Sequence, residues 1–193
     1  MRARDPKSII IVGIILIIVS TILVFFTKYW YYLAVFGVWF LFDYFSSMKN
    51  KDTAIQLFAN NKKGFWNLYL IMLSLGMAIE YLGRFIFAFW YYPTPQWMEI
   101  FIILLYPLMF FSLREMYETF SLLVKNKVLT VIVSIIVGII IWEVPNLVSK
   151  SWIYTIPFGF EIIGINIFVI IGWVLLIMLP KHFYEIFFKG DKK

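Results

Sequence analysis

Long runs of apolar residues, each close to the length that crosses a bilayer, dominate this chain of 193 residues. A transmembrane helix needs about 20 mostly apolar residues, because each residue adds ~1.5 Å across a hydrocarbon core of ~30 Å. Hydrophobic residues make up 63% of the chain and charged residues only 15%. A soluble domain of this size could not bury so much apolar surface. The sequence therefore predicts an all-α integral membrane protein that passes several times through the cell membrane.

Six apolar runs predict six transmembrane helices within a single transmembrane domain that covers residues 1–193. The predicted spans are about 8–26, 29–45, 65–90, 97–113, 128–145 and 158–179. Pro145 and Pro180 are expected to end the fifth and sixth helices, because proline lacks the N–H that continues a helix.

Two charged segments lie outside these spans. Residues 51–63 predict a short interfacial helix on the inner surface, capped by Asp52 or Thr53. Residues 114–118 extend the fourth helix beyond the bilayer, because Arg114 and Glu115 make that stretch too charged for lipid.

Basic residues predict the orientation of the chain. Lys28 and Lys150 lie in predicted outer loops and Arg84 lies within a helix, whereas the rest of the 17 lysines and arginines fall on the side of the two termini. Cytoplasmic segments carry such an excess of lysine and arginine, so both termini are predicted to be cytoplasmic. Because these cations flank apolar runs, we expect no nucleic-acid partner.

The scarcity of cysteine and histidine excludes several kinds of chemistry. The chain contains no cysteine and one histidine, so disulfides, thiol catalysis and thiolate metal sites are excluded. A metal site would need carboxylate ligands alone, and no ligand spacing supports one. The sequence therefore predicts neither a metal nor a cofactor.

Charged residues within the predicted spans indicate a polar site. Each costs about 3 kcal/mol on insertion scales, so it needs a partner or water. Glu80 and Arg84 are four residues apart near the bilayer midplane and share a helix face with Gly76 and Gly83. Glu143 lies in the outer half of the fifth helix. Glu80 and Arg84 could instead form a purely structural pair.

Two further glutamates lie near the outer surface. Glu99 and Glu161 are each predicted in the first turn of a helix that begins there, where the helix dipole alone could stabilise them. Asp43 is the single acidic residue predicted in the inner half, where it could cap a helix or pair with Lys49 or Lys51.

A weak internal repeat relates helices three and four to helices five and six. Glu80 is followed by Trp90 and Tyr92, and Glu143 by Trp152 and Tyr154 at similar spacing. The repeat predicts a duplicated helical hairpin, as is common in membrane folds. These aromatic residues could also be an ordinary interfacial belt.

The repeated element resembles the membrane lycopene cyclases of the lycopene cyclase domain family. Glu80 with Trp90-Tyr91-Tyr92-Pro93, and Trp142-Glu143 with Trp152-Ile153-Tyr154, carry this resemblance. The family's Pro-x-Glu-Glu motif is absent from the chain. The resemblance implies protonation of a polyene C=C bond, stabilisation of a carbocation by aromatic rings, and removal of a proton.

On this basis Glu80 and Glu143 are predicted to be catalytic. The predicted substrate-binding residues are Arg84, Trp90, Tyr92, Glu99, Asn146, Trp152, Tyr154 and Glu161. The expected partners are membrane lipids and a hydrophobic small-molecule substrate of the polyprenyl or carotenoid type.

The sequence leaves three functions open. The first is the cyclase-like enzyme, and the second is a small transporter or capture subunit for a cationic or amphipathic solute. The third is a non-catalytic assembly subunit. Whether the chain is an enzyme, and whether it forms a homo-oligomer, are likewise left open.

Overall fold

A computed structural model describes residues 6–48 and 52–189, with the side chains of residues 6, 7, 188 and 189 outside the description. Arg2, Arg4, Lys49, Lys51, Lys192 and Lys193, which contributed to the predicted orientation, lie outside the described residues. The helices are α1 (Pro6–Leu23), α2 (Trp30–Ser47), α3 (Ala54–Asn60), α4 (Lys62–Glu80), α5 (Gln96–Leu123), α6 (Lys127–Gly138), α7 (Val144–Ser149) and α8 (Ile167–Tyr184). The short strands are β1 (Trp90–Tyr91), β2 (Ile153–Tyr154), β3 (Glu161–Ile162) and β4 (Ile165–Asn166).

The helices are of the membrane class that the apolar runs predict. Four helices in the described part of the chain are long and apolar enough to cross a membrane. They cover Lys62–Ile86, Gln96–Leu123, Lys127–Ser149 and Ile167–Phe187. Their outward surfaces expose large apolar side chains such as Ile136 and Leu175. Lipid solvates such side chains at little cost in free energy, whereas their exposure to water is unfavourable.

Helix α5 forms the centre of the bundle. Its residues Phe110, Phe111, Leu113 and Met116 are fully buried, and it packs against α2, α4, α6 and α8. Helices α1 and α2 form a close pair, since a methyl group added at Gly37 would lie 3.0 Å from the carbonyl oxygen of the facing α1 glycine. Small residues permit such an approach of two helices.

Proline does not end the fifth and sixth predicted helices, so that prediction is wrong. Between α6 and α7 the helix widens into a π-helical segment, Ile139–Glu143, and then continues to Ser149 with Pro145 in the first turn of α7. The wider turn accommodates the ring and the missing N–H of the proline. Pro180 likewise lies inside α8.

The sixth predicted span begins too early. Residues 158–166 form an exposed hairpin of β3 and β4, and α8 begins only at Ile167, where Asn166 caps its N-terminus. Ile163 and Gly164 form the turn of the hairpin with φ of 53° and 74°. Glycine adopts positive φ angles readily, so Gly164 allows the chain to reverse here even though the surrounding sequence is apolar.

The third predicted span ends earlier than expected. The α-helical part of α4 ends at Glu80 and continues as a π-helical segment, Tyr81–Ile86, so residues 87–90 lie beyond the helix. The chain then enters β1, which pairs antiparallel with β2 through Trp90 and Tyr154. This pairing connects the loop after α4 with the loop after α7.

The predicted capped helix in the segment 51–63 is confirmed as α3. The Thr53 hydroxyl accepts a hydrogen bond from the Gln56 N–H, and the Gln56 side chain accepts one from the Thr53 N–H. This reciprocal pattern satisfies two amides at the helix start. The location of α3 at the inner membrane surface stays a prediction.

The end of the bundle that contains Asp43 holds further buried charge. Arg114 and Glu115 are buried between helices. Their location beyond the bilayer stays a prediction. They contact each other, with 2.6 Å between Arg114 Nη1 and Glu115 Oε1. Arg114 is therefore a buried cation at the end of the bundle that contains Asp43.

We predict that Gly83→Ala destabilises the fold by about 1–3 kcal/mol, because the added methyl group would overlap the indole of Trp90 and overpack the site. The free energy of unfolding in detergent measures this effect. Gly172→Ala is the matched control, since nothing lies within 4 Å of its added methyl group. A Gly83→Ala protein as stable as the control would contradict the tight contact.

Candidate functional site

A buried carboxyl group, Glu80, lies where α4 changes into its π-helical segment. Its Oε2 accepts hydrogen bonds from the hydroxyls of Tyr106, at 2.5 Å, and Tyr92, at 3.2 Å. The two hydroxyls are themselves 3.1 Å apart. Glu80 is 3% exposed, so these phenols replace the water that a carboxylate would otherwise bind.

Arg84 connects Glu80 with Glu99. Its guanidinium donates two hydrogen bonds to the Glu99 carboxylate, at 2.7 and 2.8 Å, and lies 3.4 Å from Glu80 Oε1. The paired bonds to Glu99 are the bidentate geometry that makes such pairs strong. The predicted proximity of Glu80 and Arg84 is confirmed, with Glu99 as the better bonded partner.

A second buried carboxyl group, Glu143, lies at the end of the π-helical segment that follows α6. Its Oε1 accepts hydrogen bonds from the Tyr154 hydroxyl, at 2.9 Å, and from Trp173 Nε1, at 3.1 Å. Trp152 Nε1 in turn donates to the Tyr154 hydroxyl. Among the described residues no cation forms an ion pair with Glu143, in contrast to Glu80.

Asn146 fixes the loop that supplies Trp152. Its side-chain oxygen accepts a hydrogen bond from the Trp152 N–H, and its amide nitrogen donates to the Trp152 carbonyl. Asn146 is buried and has both of its polar ends occupied by this one residue. It therefore holds the loop in place.

The two clusters share one pattern of contacts. In each, a glutamate at a π-helical segment accepts a hydrogen bond from a tyrosine 11 or 12 residues later in the chain. A further aromatic donor comes from the next long helix, Tyr106 of α5 or Trp173 of α8. The loops of the two clusters are joined where β1 pairs with β2.

Burial raises the pKa of Tyr154 well above that of an exposed tyrosine, and the neighbouring Glu143 carboxyl raises it further. Burial likewise raises the pKa of Tyr92, with Glu80 as the next cause. Both hydroxyls therefore stay protonated across the physiological range. They serve as hydrogen-bond donors to the two glutamates.

Glu161 does not belong to either cluster. It lies in β3 of the exposed hairpin, so its predicted place in the first turn of a helix is wrong. The apolar sequence around it favoured a membrane helix, but two left-handed positions at Ile163 and Gly164 turn the chain back first.

A groove of about 520 Å³ opens beside the β1–β2 pair. Its lining residues are Arg84, Phe85, Phe87, Ala88, Trp90, Tyr91, Thr155 and Pro157. A smaller, wholly apolar groove of about 290 Å³ lies between α2 and α5, against Tyr32 and Leu104. Glu80 and Glu143 line neither groove, and each lies in its own hydrogen-bond cluster.

An aromatic cluster lies next to Glu143 at the same end of the bundle. The Trp30 ring packs 6.1 Å from that of Trp142 and 6.2 Å from that of Trp152. Trp30 Nε1 donates to the hydroxyls of Ser149 and Ser151. Buried rings with internal hydrogen bonds are not typical of a lipid-facing belt, whereas the exposed Trp97 fits that interpretation.

Several residues of these clusters were not singled out from the sequence. Tyr106 and Trp173 lie in the middle of apolar runs, one from α5 and one from α8. A phenol or an indole far from the membrane interface is itself a signal, because its polar group needs a buried partner. Which partner it meets depends on helices that are distant in sequence.

The described residues contain no group of three or more histidine, cysteine, aspartate or glutamate side chains that could hold a metal ion. The groups that the structure places around Glu80 and Glu143 include phenols, indoles and the guanidinium of Arg84.

No family model, curated protein or solved structure matches the chain.

We predict that Arg84→Gln lowers the free energy of unfolding by about 2 kcal/mol, between the values for exposed and buried ion pairs, because it leaves two carboxylates without their cation. Chemical unfolding in detergent measures the change. Lys28→Gln, which removes a positive charge from an exposed loop, is the control and should be nearly neutral. Equal stability of the two variants would contradict a structural role for the Arg84 pairs.

Proposed function

We propose that this chain is a membrane-embedded, cyclase-like enzyme that acts on a polyprenyl or carotenoid-type hydrophobic substrate. The observation that supports it best is the difference in environment between two buried glutamates, whose neighbouring loops meet where β1 pairs with β2. Within residues 6–48 and 52–189, the hydrogen-bond donors to Glu143 are aromatic side chains, whereas Glu80 lies beside the guanidinium of Arg84. When two carboxyl groups lie in unlike environments, one can act as the acid and the other as the base.

Glu143 suits the role of proton donor. A carboxyl group without a cationic partner in an apolar site holds a proton, which it can transfer to a polyene C=C bond to form a C–H bond and a carbocation. Glu80, which lies 3.4 Å from the guanidinium of Arg84, suits the role of base. It would remove a proton after ring closure, so that a new C=C bond forms. Return of that proton from Glu80 to Glu143 would restore both carboxyl groups, and the net reaction is an isomerisation.

The aromatic rings support a cationic intermediate. The faces of indole and phenol rings attract cations, and the rings of Trp30, Trp142 and Trp152 pack beside the Glu143 cluster. Trp90 lines the groove of about 520 Å³ and pairs with Tyr154, which donates to Glu143. A hydrophobic substrate would enter this groove from the lipid.

A hydrophobic substrate is favoured over a solute cation. Arg84 neutralises part of the charge of Glu80 and Glu99, which reduces the acidic field at this end. If the protein has no cyclase activity, the transporter and the assembly subunit are the remaining alternatives.

The finer architecture is part of this proposal. We infer six transmembrane helices, with both termini in the cytoplasm and a duplicated helical hairpin. The apolar helices α1 and α2 add two spans to the four that meet the length and composition criteria. The shared contact pattern of Glu80 and Glu143 supports the duplication.

Cysteine accessibility tests the topology, since the natural chain has no cysteine. We predict that Lys28→Cys and Ile163→Cys react with a membrane-impermeant maleimide in intact cells. Asn60→Cys and Lys125→Cys should react only after the cells are opened. All four positions are exposed in the structure. Reaction of all four in intact cells, or of the last two alone, would contradict the topology.

The catalytic proposal is tested by a substitution series in cells that make linear carotenoids and prenyl lipids. We predict that Glu143→Gln reduces product formation by about 10²–10⁴-fold, because it removes the general acid. Glu80→Gln should also reduce it. Glu161→Gln, at an exposed carboxylate, is the matched control and should retain activity.

Chromatography and mass spectrometry of the extracted lipids measure the products. Full activity of the Glu143→Gln and Glu80→Gln variants would contradict the catalytic roles. No product difference between cells with and without the wild-type protein would contradict the enzyme itself.

A further inference from the structure

The groove beside the β1–β2 pair combines apolar walls with a charged group. The rings of Phe85, Phe87 and Tyr91 line it and are exposed. Arg84 lines the same groove, with 17% of its side chain exposed. A site built in this way suits a ligand that has a hydrophobic body and a polar atom, since the polar contact fixes the orientation of the body.

The guanidinium of Arg84 uses three of its N–H groups within the protein. It carries one N–H on Nε and two on each Nη. Nη1 donates to Glu80 Oε1, at 3.4 Å, and to Glu99 Oε2, at 2.7 Å, and Nη2 donates to Glu99 Oε1, at 2.8 Å. These hydrogen bonds, which are those that the described part of the chain gives this side chain, leave the Nε–H and one Nη2 N–H for a ligand.

The loop pair holds the groove in shape. The Thr155 N–H donates to the Phe89 carbonyl at 2.8 Å, and the Thr155 hydroxyl donates to the Ala88 carbonyl. Ala88 has a φ of 52°, in the left-handed region that alanine rarely adopts. Such a backbone persists only where its surroundings hold it. The groove is therefore formed before a ligand arrives.

An anionic head group fits this groove poorly. The guanidinium of Arg84 is bonded to Glu99 and lies 3.4 Å from Glu80. A phosphate or carboxylate that bound to Arg84 would therefore approach two carboxyl groups, and such a contact disfavours an anion. A neutral oxygen, in a hydroxyl or a carbonyl group, accepts a hydrogen bond without this repulsion.

A pure hydrocarbon fits the groove poorly for a different reason. Covering the groove removes water from the remaining N–H groups of Arg84, and a hydrocarbon supplies no acceptor in its place. A donor that is buried without an acceptor loses the free energy of its hydration. The groove therefore favours a hydrophobic chain that carries an oxygen at the end near Arg84.

We propose that the groove binds a prenyl-chain lipid through a neutral oxygen at one end, with Arg84 as the hydrogen-bond donor. This inference rests on the proposed function, because it narrows the hydrophobic substrate to an oxygenated one, of which a prenyl alcohol is the simplest case. The chain then lies against Phe85 and Phe87 on the side that faces lipid. The hydrogen bond determines which end of the chain lies next to Arg84.

Equilibrium binding to the full-length protein in detergent tests this assignment. The probes are tritiated forms of geranylgeraniol, geranylgeranyl phosphate and the hydrocarbon that has the same prenyl chain without an oxygen. We predict that the alcohol binds about tenfold more tightly than either of the other two, which is the effect of one hydrogen bond to a charged donor. Equal or tighter binding of the hydrocarbon or the phosphate would overturn the proposal.

Two variants locate the oxygen and the chain. Arg84→Met should bind the alcohol about tenfold more weakly and the hydrocarbon as before, because it removes the donor. Phe87→Ala should weaken the binding of all three probes alike, because it removes an apolar wall and no donor. Phe160→Ala, at an exposed ring of the β3–β4 hairpin, is the matched control and should bind as the wild type does. A preference for the alcohol that survives Arg84→Met would overturn the assignment.

If Arg84→Met does not fold, photo-crosslinking of the wild-type protein supplies the test. A geranylgeraniol analogue with a diazirine beside its oxygen should label segments 84–91 or 155–157, which mass spectrometry of the digested protein locates. Labelling confined to other segments would overturn the proposal.

Binding does not require turnover, so the two proposals can fail separately. Tight binding of the alcohol by a protein that forms no product would support this inference and contradict the enzyme. Product formation by a protein that binds the alcohol no better than the hydrocarbon would contradict this inference alone.

Discussion

A carboxyl group inside an apolar bundle must find all of its hydrogen-bond donors within the protein, because lipid supplies none. Both ends of this molecule are organised around that requirement. At one end, phenols and indoles supply the donors to Glu80 and Glu143. At the other, Asp43 and Glu115 accept hydrogen bonds from the first amides of α3. The polar contacts thus determine which helices meet.

The helices themselves were predictable from the sequence because their signal is local. Apolar runs located α1, α2 and the four longer helices, and the spacing of Glu80 and Arg84 predicted their contact. The capping pattern at Thr53 likewise depends on neighbours in the chain. Each of these features needs information from fewer than about 25 consecutive residues.

The failures occurred where tertiary contacts or unusual backbone decide the outcome. Pro145 was expected to end a helix, but the π-helical segment before it accommodates the proline and the helix continues. Residues 158–166 have the composition of a membrane helix, yet they form a hairpin. The burial of Arg114 and Glu115 between helices was not predicted from the sequence. Their burial depends on Asp52 and Tyr184, which are more than 60 residues away in the chain.

The π-helical segments at Glu80 and Glu143 have an evolutionary consequence. A π turn holds one residue more than an α turn, so each segment is equivalent to a single inserted residue. Loss of that residue would restore an ordinary helix and swing everything beyond it by about 100° around the axis. Glu143 would then point away from Trp173. Single-residue deletions in these two stretches should therefore be purged among descendants of this chain, whereas those in the exposed loops can accumulate.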